Sequence, residues 1–252
     1  MSITDPDAWV RRFHPSPDAA VRLICLPHAG GSAPFFFPVS AALSPGIEVL
    51  AVQYPGRQDR RREPLIDSIA ALSDATYEAV LPHTDRPFAL FGHSMGATVA
   101  FELGRRLEAE GRQPVHVFAS GRRAPSRQLF ETVHQRDDEG IIADLRTLSG
   151  TDQRIFGDDE IMRSVLPAIR NDYKAAETYR FEPGGGTLHC PVSVLVGDDD
   201  PKVDLDAANA WQDHTTGECT VTVYPGGHFY LVEHAPAVLA LISDRLGAPT
   251  PA

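Results

Sequence analysis

Phe88-Ala89-Leu90-Phe91-Gly92-His93-Ser94-Met95-Gly96 begins as an apolar run and ends with a serine set between two glycines. The first part reads as a strand buried on both faces, and Met95 opens a stretch to Glu110 with apolar residues at helical spacing. A G-x-S-x-G match is common by chance. Placed on a sharp strand-to-helix turn, it puts a serine hydroxyl at the C-terminal edge of a parallel sheet.

Moving outward, short β-rich runs at 22–27, 48–54, 115–120, 192–197 and 220–224 alternate with helical stretches at 66–81, 204–213 and 236–246. That alternation predicts an α/β chain, a mainly parallel sheet flanked by helices. Residues from about 125 to 186 interrupt it with helical pieces at 137–148 and 159–179 and end in Pro183-Gly184-Gly185-Gly186. We therefore expect one domain over 1–252 with a helical insertion, about 125–186, serving as a lid. Leu129, Phe130, Ile141, Leu145, Phe156 and Leu166 are its expected apolar walls, with the glycine run helping it move.

A net charge of −11 argues against wrapping nucleic acid and against broad adhesion to anionic membranes. Cys25, Cys190 and Cys219 are far apart and lack metal-ligand spacing, which suits a reducing compartment and small apolar core residues. Residues 1–5 lack a signal-peptide pattern, and no stretch approaches the roughly 20 apolar residues of a membrane span. A cytoplasmic protein with no cofactor and no metal is expected, with a monomer as the favoured state.

A serine is a weak nucleophile until a base takes its proton. Of ten histidines, His228 follows the last strand in Tyr224-Pro225-Gly226-Gly227-His228, where a glycine loop can bring an imidazole to Ser94. His93 is assigned structural support. The acid that orients the base should follow the strand 192–197, where Asp198-Asp199-Asp200-Pro201 offers three carboxylates. Pro201 favours extended backbone at Asp200, which is preferred, with Asp198 and Asp199 as alternatives. Donors for a developing oxyanion are expected from the backbone N–H of Met95 and, in the loop Pro27-His28-Ala29-Gly30-Gly31-Ser32, of Ala29.

Together, Leu26-Pro27-His28-Ala29-Gly30-Gly31, Gln53-Tyr54-Pro55-Gly56-Arg57, the serine turn, Gly197-Asp198-Asp199-Asp200-Pro201 and Gly226-Gly227-His228-Phe229 resemble the discrete type II thioesterases. These are the editing enzymes of polyketide and nonribosomal peptide assembly lines. The likeness runs from about Phe13 to Leu246. It implies an α/β-hydrolase fold, with Ser94 as nucleophile, Asp200 as acid and His228 as base. It also implies removal of acyl groups from the phosphopantetheine thiol of acyl or peptidyl carrier proteins. A small-molecule esterase or lipase would use the same groups. The intact Ser94, Asp200 and His228 disfavour a non-catalytic relative. A chain opening at Met1 disfavours a cyclase domain within a larger enzyme.

Carrier proteins of such pathways are usually acidic, so docking to a chain at −11 requires a local positive patch. Two basic clusters follow strands whose C-terminal ends share an edge with Ser94. One is Arg57, Arg60, Arg61 and Arg62; the other is Arg122, Arg123 and Arg127. Arg57, Arg61, Arg122 and Arg123 are the expected docking residues. The plain alternative is pairing with neighbours such as Asp59 and Glu63.

Overall fold

The computed structural model describes residues 6–148, 159–182 and 184–248. Its centre is a seven-stranded sheet: β1 (Val10–Arg11), β2 (Val21–Leu26), β3 (Ile47–Val52), β4 (Phe88–His93), β5 (His116–Ser120), β6 (Val192–Gly197) and β7 (Cys219–Tyr224). The order across the sheet is β1-β3-β2-β4-β5-β6-β7, parallel except for β1, which runs antiparallel to β3. Every residue of β2 to β6 is buried, as the apolar runs predict for strands covered on both faces.

Strand periodicity divides the core. Ile24, Leu26 and Leu90 join one cluster with Ile69, Leu72 and Val99, which come from α3 (Ile69–Val80) and α4 (Met95–Ala109). Leu23, Cys25 and Phe91 join another with Leu43, Val238 and Ile242, from α2 (Phe37–Leu43) and α9 (Ala235–Arg245). The remaining helices are the short α1 (Pro6–Trp9), α7 (Leu205–Asn209) and α8 (Tyr230–Glu233) and two in the insertion, α5 (Asp138–Leu148) and α6 (Asp159–Thr178). A third cluster, including Val133, Ile141, Leu166 and Ile169, packs the insertion on itself. Among the described residues no helix is long and apolar enough to cross a membrane.

The expected strands are all present, with ends moved by a residue or two. The expected helix at 204–213 is instead α7 followed by a tighter turn at Ala210–His214. α2 has no counterpart in the sequence reading. Pro34 and Pro38 are compatible with helix here because both sit in first-turn positions, of the tight turn Ala33–Phe36 and of α2, where proline's missing N–H costs nothing.

Candidate active site

The registers place the loops. Leu26 pairs with Gly92, His93 with Ser120, and Gly197 with Tyr224, so the loops after β2, β4, β6 and β7 leave one edge of the sheet. At the turn from β4 to α4, Ser94 has φ 54° and ψ −118°, a conformation side chains rarely adopt. Its N–H donates to the Ser120 carbonyl at 2.8 Å, and its carbonyl accepts from Ala97 N at 3.0 Å. Gly96 permits the turn because a Cβ there would lie 2.1 Å from the Leu26 carbonyl oxygen.

His228 and Asp200 are both buried, and His228 Nδ1 donates to Asp200 Oδ2 at 2.8 Å. The other Asp200 oxygen accepts from Lys202 N at 2.8 Å. Of the two alternatives, Asp198 is exposed and accepts from Gly226 N at 2.8 Å, and Asp199 is exposed. The acid that meets His228 is therefore Asp200. His93 lies beneath the turn, bonded to Ser120 Oγ at 2.9 Å, and Ser120 Oγ is 2.6 Å from Tyr230 Oη. Burial, with His228 and then Arg57 adding to it, pushes the His28 pKa down to about 3. Burial also holds His93 well below its ordinary value. Two neutral imidazoles thus pack near the His228 ring, that of His93 at 5.0 Å between centroids.

Ser94, Met95, Ala29, His28 and His228 line one cavity of about 350 Å³. Its opposite wall comes from the insertion, through Leu129, Leu145, Met162, Val165, Ile169 and Tyr173. Of the other expected wall residues, Phe130 is 80 % exposed, Ile141 and Leu166 pack within the insertion, and Phe156 lies outside the described residues.

The sequence from residue 21 to 246 matches the family model described as "Thioesterase domain". The chain belongs to the thioesterase domain family. This thioesterase is 51 % identical over 251 residues to "Thioesterase PikA5" of Streptomyces venezuelae, covering 97 % of this chain and 89 % of that protein. It is also 51 % identical over 238 residues to the "Probable cadicidin biosynthesis thioesterase" of Streptomyces griseus, covering 94 % of this chain and 66 % of that protein. Among solved structures, the type II thioesterase BorB from the borrelidin biosynthetic cluster superposes with a TM-score of 0.91 at 51 % identity, covering 95 % of this chain and 98 % of that one.

The thioesterase treats its arginines unequally. Arg57 is buried and donates from Nη1 and Nη2 to the two oxygens of Asp172, at 2.8 and 2.9 Å, leaving it no surface to offer a partner. Arg60 is buried against Glu63 at 2.6 Å, and Arg61 is exposed. Arg122 and Arg123 line the cavity, the first donating to Thr98 Oγ1 at 2.9 Å and the second to the Lys202 carbonyl. Burial pushes the Arg122 pKa down to about 10. Arg127 lines the same cavity and is exposed. Sequence reasoning missed Asp172. It stands on the buried stripe of α6 with Ile169 and Ala175, and a carboxylate on an apolar stripe was the available signal.

Proposed function

We propose that this thioesterase releases acyl groups from the phosphopantetheine thiol of acyl or peptidyl carrier proteins through an acyl-serine intermediate. The observation that carries the reading is the buried Asp200–His228 pair, whose His228 lines one cavity with a serine held at φ 54°. His228 Nε2 takes the Ser94 proton as Oγ attacks the thioester carbon, and Asp200 keeps Nδ1 protonated and steadies the imidazolium. The carbonyl oxygen, now bearing the electron pair, turns to the N–H groups of Met95 and Ala29. As the C=O double bond re-forms from the oxyanion's electron pair, the C–S bond breaks and the departing sulfur takes the proton from His228. Water repeats the sequence on the acyl-serine, releasing the carboxylic acid and restoring Ser94.

In this reading segment 125–186 is the lid and the apolar half of the cavity receives the acyl chain. The pantetheine arm enters past the basic residues Arg123 and Arg127. The names of the relatives favour this over a small-molecule esterase. A serine-directed phosphonate should label Ser94, and Ser94→Ala should remove nearly all turnover of acyl-carrier protein while the chain stays folded. Turnover surviving Ser94→Ala would rule out the mechanism.

A further inference from the structure

The loop after β2 has to hold its backbone still while presenting an N–H, yet it contains two adjacent glycines. Helix α6 supplies the restraint. The Gly30 N–H donates to Asp172 Oδ2 at 2.8 Å, and Arg57 Nη1, paired with the same carboxylate, donates to the Gly31 carbonyl at 3.2 Å. The Gly31 N–H is spent on the His28 carbonyl at 2.9 Å. Ile169, three residues before Asp172 and on the same helix face, covers Gly30 so closely that a Cβ there would lie 2.5 Å from Ile169 Cγ1. His28, Ala29 and Gly30 line the cavity beside Ser94 and Met95, and with the N–H groups of Gly30 and Gly31 committed, Ala29 remains the expected donor of this run.

From this geometry we propose that Asp172 is a positioning residue for the oxyanion. It fixes the Gly30 peptide so that the Ala29 N–H stays aimed at the site, and it makes a formed oxyanion hole conditional on the seating of α6. The inference rests on the acyl-serine reading above. Arg57 completes the device: its paired charge cancels that of Asp172, so the loop is tied down without net negative charge beside a developing anion. Asp172 and Arg57 are 1 % and 8 % exposed, so water does not compete for these bonds.

The test uses a short acyl thioester and a matching trifluoromethyl ketone. Ser94 Oγ adds to the ketone's carbonyl carbon as the serine's proton passes to His228, and the C=O electron pair moves to oxygen, leaving an anion in the hole. Arg57→Met combined with Asp172→Leu removes both charges together, an exchange that buried pairs often tolerate. Per phosphonate-titrated site, kcat should fall about 100-fold with KM within about threefold, and ketone affinity should fall in step. Asp172→Asn keeps an acceptor for Gly30 and most of the shape, so it should lose only about three- to tenfold, again with ketone affinity in step. It decides the matter if the double variant does not fold. Unchanged kcat per titrated site in the folded variants, or a fall in kcat with ketone affinity intact, overturns the proposal. Failure of the mechanism itself is seen separately, as wild-type enzyme that binds no ketone or a Ser94→Ala variant that still turns over.

Discussion

The proposed triad of Ser94, His228 and Asp200 announces itself in sequence because each member needs special local backbone: glycines around Ser94, a glycine loop before His228, a proline after Asp200. Asp172 needs none: its one local sign is a carboxylate on an apolar helix stripe, and its partner Arg57 is 115 residues away. Arg57 was misread for the same reason, because burial is a property of the fold and not of the tetrapeptide around it. Buried histidines make a further residue-scale prediction. His116 lies between β4 and β6, with Nε2 2.9 Å from Ser193 Oγ and its ring stacked on Phe118 at 4.4 Å. Burial, and to a smaller degree Arg245, pushes its pKa down to about 4. The unfolded chain then binds the extra proton more readily. Stability is whole above about pH 6.5 and is lost as pH falls toward 4, by at most about 1.4 kcal/mol per unit. Urea unfolding at pH 7.5 and 5 should show His116→Gln losing up to about 2 kcal/mol less than wild type over that interval. Equal losses would show that His116 is protonated as easily in the fold as out of it.

At the scale of elements, strands and helices covered by a uniform environment were readable, while those defined by their neighbours were not. β2 to β6 follow from continuous apolar runs. α2 is helical because its one proline, Pro38, falls in a first-turn position and Leu43 reaches the core. α6 illustrates a subtler case. Pro167 removes one N–H from its ladder, separating a first half that carries Met162 and Val165 on the cavity from a second half fastened to the body. The fastenings are Asp172 to Arg57, Asn171 Nδ2 to the Ile66 carbonyl at 2.7 Å, and Lys174 to Asp67 at 2.5 Å. A lid swinging as one body about residues 184–186 would have to break all three, so the freedom expected at that glycine run is constrained upstream. The first half of α6 should instead set chain length. Val165→Trp should lower kcat/KM for a long acyl thioester by about tenfold or more and leave an acetyl thioester within about threefold. If both substrates are affected alike, Val165 does not bound the acyl chamber.

For the whole molecule, a charge of −11 surrounds a cavity wall that holds Arg122, Arg123, Arg127, Arg180 and Lys202. Lys202 is partly neutralised by Glu131 at 2.5 Å, Arg180 donates to the Glu177 and Tyr179 carbonyls at 2.7 Å, and Arg122 and Arg123 are tied inward, which leaves exposed Arg127 as the wall residue suited to meet an acidic carrier. Arg127→Glu should reduce turnover of acyl-carrier protein several-fold and flatten its salt dependence, with a small acyl thioester unaffected. Arg61→Glu, away from the cavity wall, should change neither rate. Loss of small-substrate turnover in Arg127→Glu would assign that side chain to the chamber and not to the partner. The order in which the elements leave the ribosome adds a dimension of time. The strained serine turn is complete by residue 96, but Asp172, Asp200 and His228 arrive later, and His228 follows Ser94 by 228 − 94 = 134 residues. At about 5–20 residues per second this is an interval of about 7–27 s. Throughout it the nascent chain carries the proposed nucleophile without its proposed base, so on this mechanism hydrolysis waits until His228 has been made.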